Sequence, residues 1–68
     1  MPVEIGTYLN GERYARVHFN GDGFSVTVEG SGPNDDVATE RLVHNIRKLG
    51  DMCQDIADDM PPYPGDSP

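Results

Sequence analysis

The sequence predicts an α+β domain in which a three-stranded antiparallel β-meander packs against one long C-terminal α-helix, in the order βββα. Three observations carry this reading. Over residues 41–60 apolar side chains recur at Leu42, Ile46, Leu49, Cys53, Ile56 and Met60, and spacings of three and four line one seam of a helix. Ahead of that seam, three short runs alternate apolar and polar residues, the pattern of half-buried strands. The runs are separated by Asn10-Gly11 and by Asn20-Gly21-Asp22-Gly23, both strong turn signals.

The first run is VEIGT, residues 3–7. A two-residue loop at Asn10 and Gly11 would set Val3 and Ile5 opposite His18 and Arg16, mixing apolar and polar faces. A three-residue loop over 9–11, with Gly11 in the left-handed conformation, pairs Val3 with Val17, Ile5 with Ala15 and Glu4 with Arg16. That register keeps each face uniform and is the one expected. The second run, residues 12–19, puts Ala15, Val17 and Phe19 on one face and Tyr14, Arg16 and His18 on the other. The third, residues 24–29, has Phe24, Val26 and Val28 at its apolar positions. Across the second turn, loops of two or four residues both give the pairs Phe19 with Phe24, Val17 with Val26 and Ala15 with Val28, so the hairpin keeps its face with either loop.

Residues 30–33 read as a breaker cluster, after which Asn34 supplies an N-cap and Asp35 and Asp36 place acids in the first helical turn. Arg47, Lys48, Leu49 and Gly50 resemble a helix end, and Asp51 with Gln54 resembles a fresh capping box. The seam nevertheless runs through Gly50 without a change of phase. The reading is therefore one continuous helix, with Gly50 as the place where it can bend or break, stopped by Pro61. Residues 1–60 form the single domain. The proline-rich tail, 61–68, is expected to stay extended and flexible.

The core expected from these faces comprises Val3, Ile5, Val17, Phe19, Phe24, Val26, Val28, Leu42, Ile46 and Leu49. A helix over 35–60 is about 39 Å long, whereas a seven-residue strand spans about 24 Å. Roughly a third of the helix must overhang the sheet. The overhang carries Met52, Cys53, Ile56 and Met60, an apolar seam that a bend at Gly50, a homodimer or a partner protein would cover.

At 68 residues the chain is one small domain, and its single cysteine cannot form an internal disulfide. No His/Cys spacing fits zinc, so no metal and no cofactor is expected. The start lacks a basic, apolar leader and no apolar stretch approaches about 20 residues, so the expectation is a soluble cytoplasmic protein without a membrane segment. The formal charge is −7. Residues 51–68 account for most of it, with Asp51, Asp55, Asp58, Asp59 and Asp66 and no base. Such a field repels nucleic acid and attracts basic partners.

Asp51, Asp55, Asp58 and Asp59 lie at i, i+4, i+7 and i+8, one carboxylate-lined helix face opposite the seam. With Glu40 they are the candidate partner-binding residues, and a solvated polar face is the plain alternative. The opposite sheet face, with Tyr8, Tyr14, Arg16 and His18 beside Glu4, Ser25, Thr27 and Glu29, is a weaker candidate. Aromatics interleaved with arginine can read nucleic acid, but the two glutamates offset Arg13 and Arg16, so direct nucleic-acid binding is not expected. His18 and His44 have no nucleophile or carboxylate at a telling distance, and no catalytic motif is present. Cys53, in the seam, reads as a small hydrophobe. The protein is not expected to be an enzyme.

A very short acidic chain with a minimal sheet, one long helix and an acidic stripe resembles the small phage-encoded anti-defence proteins, including anti-CRISPR proteins. The resemblance covers size, charge and layout, so no functional residue is carried over. It implies a non-enzymatic inhibitor, such as a DNA mimic, that occupies the nucleic-acid-binding surface of a CRISPR-Cas or other defence nuclease complex in the host-cell cytoplasm. A βββα chain also resembles small antitoxin-type domains, which neutralise a partner by contact. The alternative is a structural or regulatory homodimerisation module, its seam formed by Met52, Cys53, Ile56 and Met60, whose acidity confers solubility.

Overall fold

The computed structural model describes residues 3–61. Strands β1 (Val3–Thr7), β2 (Arg13–Gly21) and β3 (Phe24–Gly32) form one antiparallel sheet in the order β1-β2-β3, and α1 (Asp35–Asp59) follows. The βββα layout expected from the sequence is the one observed. The tail lies outside the described residues from position 62 onward.

The first hairpin has the anticipated register, with Val3 opposite Val17, Glu4 opposite Arg16 and Ile5 opposite Ala15. Its loop is residues 9–11: the Tyr8 N–H donates to the Glu12 carbonyl at 2.8 Å and the Gly11 N–H donates to the Tyr8 carbonyl at 3.0 Å. Gly11 has φ 89°, a conformation that costs glycine little because it has no Cβ.

The second hairpin departs from expectation. Val17 faces Val28, Phe19 faces Val26 and Gly21 faces Phe24, so β3 is displaced by two residues and the loop, of two residues, is Asp22 and Gly23. The shift is even, so every side chain keeps its face. The tighter loop pairs Asn20 with Ser25 and Gly21 with Phe24, giving backbone partners to groups a four-residue loop would leave to water.

β3 also runs on to Gly32, through residues that read as a breaker. Gly30 and Gly32 continue the inner-face series of Val26 and Val28 and are buried. A Cβ on Gly30 would lie 2.2 Å from the Leu42 nitrogen and 2.6 Å from the Ala38 carbonyl oxygen. The helix backbone therefore rests directly on the strand, and glycine is what admits it.

Asn34 caps α1, its Oδ1 accepting the Val37 N–H at 2.9 Å, and Asp35 and Asp36 occupy the first turn. The helix is unbroken through Gly50, where the sequence offered a break. At its far end the Met60 N–H donates to the Ala57 carbonyl at 3.3 Å.

The core is smaller than expected: Ala15, Val17, Val28, Ala38 and Leu42, with Phe19, Val26 and Leu49 packed against it. Val3, Ile5, Phe24 and Ile46, all expected inside, are exposed. The reason is width. A helix about 10 Å across covers two strands spaced about 4.8 Å apart, and the short link over 33–34 sets α1 on β3 and β2. Arg41 Nη1 donates to the Ser31 carbonyl at 2.8 Å and Asn45 Nδ2 donates to the Glu29 carbonyl at 2.7 Å, fixing one helix flank over the outer edge of β3. Val3 and Ile5 on β1 are left 49% and 45% exposed. Ile46 lies on the other flank of α1, and the Phe24 ring lies across Gly21 at the hairpin tip.

Candidate functional site

Beyond the half-buried Leu49, every residue of α1 is exposed. This projecting arm is about 15 Å long. It places Asp51, Asp55, Asp58 and Asp59 within an arc of about 100° on one side, and all four are exposed. Glu40 is exposed on the same side, but it lies three turns earlier over the sheet, about 16 Å from Asp51. Among the described residues none of these five carboxylates forms an ion pair. Their one side-chain hydrogen bond is from Gln54 Nε2 to Asp58 Oδ1 at 3.1 Å. The last turn of α1 contains no basic residue, so Asp58 and Asp59 sit beside the negative end of the helix dipole.

The other side of the arm is apolar. Met52, Cys53, Ile56 and Met60 are exposed, Ile56 by 54%, and Cys53 is a free thiol. The helix seam thus divides: Leu42 and Leu49 pack on the sheet, while its distal half is bare.

The outer sheet face brings together the residues anticipated there. The Arg16 guanidinium donates to Glu29 Oε1 from Nε at 2.9 Å, with Nη2 2.8 Å from the same oxygen, and Nη1 lies 3.9 Å from Glu4. The Tyr8 hydroxyl donates to the other Glu29 oxygen. Tyr8 and Tyr14 stack with centroids 4.9 Å apart, and Arg16 Cζ lies 4.6 Å from the Tyr14 ring centroid. The Tyr8 hydroxyl and the Arg16 guanidinium hold the Glu29 carboxyl below its ordinary range. The same contacts with Glu29 raise both Tyr8 and Arg16. The charges on this face are paired with one another.

His18 shares a hydrogen bond with the Thr27 hydroxyl at 2.7 Å and lies 3.3 Å from the Ser25 hydroxyl. No carboxylate among the described residues bonds to its ring. Among the described residues no three His, Cys, Asp or Glu side chains converge to hold a metal ion. No helix among the described residues is long and apolar enough to cross a membrane.

Two features escaped the sequence reading. Arg13, at the start of β2, pairs with Asp35 at 2.6 Å and donates to the Thr7 hydroxyl, tying the first hairpin to the helix N-terminus. This contact raises Arg13 and lowers Asp35 from their ordinary values. The second is the glycine notch under α1. Its signal was present in the sequence, since Gly30 and Gly32 share the alternation of Val26 and Val28.

The chain matches no protein-family model, no curated protein and no solved structure.

Proposed function

We propose that this protein is a non-enzymatic, protein-binding inhibitor that applies the carboxylate face of the α1 arm to a basic, nucleic-acid-binding surface of its partner. The observation that carries this reading is the arm itself. After α1 leaves the sheet it contributes nothing to the core, yet it holds Asp51, Asp55, Asp58 and Asp59 exposed on one face with no neutralising cation among the described residues. Carboxylates along a rigid rod suit a groove of lysines and arginines that otherwise binds phosphates. Glu40, farther up the same side, extends the contact if the partner also reaches the domain body. The resemblance in size, charge and layout to small phage-encoded anti-defence proteins makes a defence nuclease complex the partner class to test first.

The test is capture from a bacterial lysate with the full chain as bait, followed by a salt step and mass spectrometry. A basic nucleic-acid-binding protein should elute with salt, because screening weakens the carboxylate contacts. Asp55→Lys combined with Asp59→Lys should lose it while leaving the circular dichroism spectrum intact. Equal capture by the doubly reversed variant would refute the acidic-face contact.

The bare apolar side of the arm favours a second reading, self-association through Met52, Cys53, Ile56 and Met60. Ile56→Asp should then convert a dimer to a monomer in sedimentation. An unaltered dimer would exclude that seam.

A further inference from the structure

The two edges of the sheet are treated differently. On β3 the outward carbonyls of Glu29 and Ser31 are taken by Asn45 and Arg41 of α1. The edge of β1 has no partner among the described residues. The hairpin bond between the Tyr8 N–H and the Glu12 carbonyl fixes the alternation. Gly6 and Glu4 bond inward to Tyr14 and Arg16, while Val3, Ile5 and Thr7 direct their N–H and C=O groups outward. The outward Glu29 and Ser31 carbonyls agree, since they leave Tyr14 and Arg16 free to bond β1. Val3 and Ile5, which carry these outward groups, are also the exposed apolar residues of the inner face. Natural sheets block such edges with charge, proline or a bulge, and β1 has no proline or bulge and carries its one charge, Glu4, on the outer face.

We propose that the β1 edge pairs with the β1 edge of a second copy of this chain, antiparallel about a two-fold axis at Ile5, to make a continuous six-stranded sheet. Self-complementarity selects both occupant and register. With Ile5 opposite its own copy, Val3 faces Thr7 on each side, and all three outward residues of each strand find hydrogen-bonding partners. Glu4 then faces Gly6 of the other copy, beside the Tyr14 ring that covers that glycine. Centring on Glu4 would place like charges directly opposite, and centring on Gly6 would leave Val3 unpaired. On the inner face the two Ile5 side chains meet. The apolar floor that α1 leaves uncovered becomes shared between the copies, flanked by Val43 and Ile46 of each helix. This contact uses neither face of the arm, so it is independent of the proposed partner surface, and the dimer presents two arms.

The test is sedimentation of the full chain up to millimolar concentration, with Ile5→Lys as the disrupting variant. The unmodified chain should sediment at twice its 7.4 kDa mass. Ile5→Lys, at a position already exposed in the monomer, should sediment at half that dimer mass with unchanged circular dichroism. In a Cys53→Ala background, Ile5→Cys should form a covalent dimer under mild oxidation, because directly opposed hydrogen-bonded residues place their Cα atoms about 5.5 Å apart, within disulfide reach. Thr7→Cys alone, facing Val3, should not. A monomeric unmodified chain would overturn the pairing and leave the edge to a strand of another protein. A dimer that survives Ile5→Lys, or one that crosslinks equally through Thr7→Cys, would overturn it as well.

Discussion

Replacing Gly30 and Gly50 by alanine, one at a time, should move stability in opposite directions. At Gly30 an added Cβ would stand 2.2 Å from the Leu42 nitrogen, against 3.4 Å or more for ordinary contact. The obstructing atoms are helix backbone, which cannot rotate away, so α1 must lift by about 1 Å. A gap of 0.5–1 Å forfeits a quarter to a half of the dispersion attraction across it, here around Ala38 and Leu42, two of the five buried core residues. Overpacking alone costs about 1–3 kcal/mol. With the loosened contacts added, Gly30→Ala should cost about 3 kcal/mol, a large share of the ~3–10 kcal/mol expected for a domain of this size. At Gly50 an added Cβ meets nothing within 4 Å, and alanine in a helix interior gains about 0.5–1 kcal/mol. Thermal unfolding followed by circular dichroism should show Tm falling by more than about 10 °C for Gly30→Ala and rising by about 3–6 °C for Gly50→Ala. A Gly30→Ala protein as stable as the parent would refute the close seating of α1 on β3.

Asn34→Ala removes the side chain that accepts the Val37 N–H and should cost about 1 kcal/mol in chemical denaturation. The Tyr8–Glu29–Arg16 cluster should give the pH-stability profile two limbs. Glu29 is depressed in the folded state, so its contribution is present above the unfolded carboxyl pKa and is lost as pH falls through the lower folded value. Tyr8 is raised, so its contribution is present below the unfolded phenol pKa and is lost as pH rises through the higher folded value. Unfolding midpoints across pH should show Glu29→Gln flattening the acid limb and Tyr8→Phe flattening the alkaline one.

The sequence revealed the fold through patterns that depend on one element at a time. Alternation separated the faces of β1, β2 and β3, and the requirement that faces stay uniform selected the 9–11 loop because a one-residue error would have inverted β1. The second hairpin gave no such protection. Registers two residues apart share the same faces, so alternation could not distinguish Phe19 opposite Phe24 from Phe19 opposite Val26. The core was overestimated for a related reason. Val3, Ile5 and Ile46 have the right alternation and spacing, but burial depends on how many strands one helix can cover, and sequence periodicity does not report width. Gly30 and Gly32 were read as punctuation because glycine marks both a break and a close approach, and only their position opposite Ala38 and Leu42 decides between them. The overhang of the arm was the most legible part of the candidate site, since helix length against strand length required it; its four aspartates and four apolar residues are all exposed.

The arm is also the described segment with the least to hold it. A free helix of about ten residues is marginal in water, and this one has Gly50 at its root and Asp58 and Asp59 at the unfavourable end of its dipole. Its local support is the Gln54–Asp58 hydrogen bond and continuity with the anchored first half of α1. Hydrogen exchange of the free protein should therefore show low protection over 51–59 and high protection over 38–46, where α1 is pinned to β3. A partner that supplies cations to Asp55, Asp58 and Asp59 would remove the dipole conflict and extend protection down the arm. Recognition and ordering would then draw on the same carboxylates, so the gain in protection should vanish with Asp55→Lys and Asp59→Lys. If residues 51–59 are instead as protected in the free protein as the anchored half, the arm is already covered, and the contact surface must be sought elsewhere.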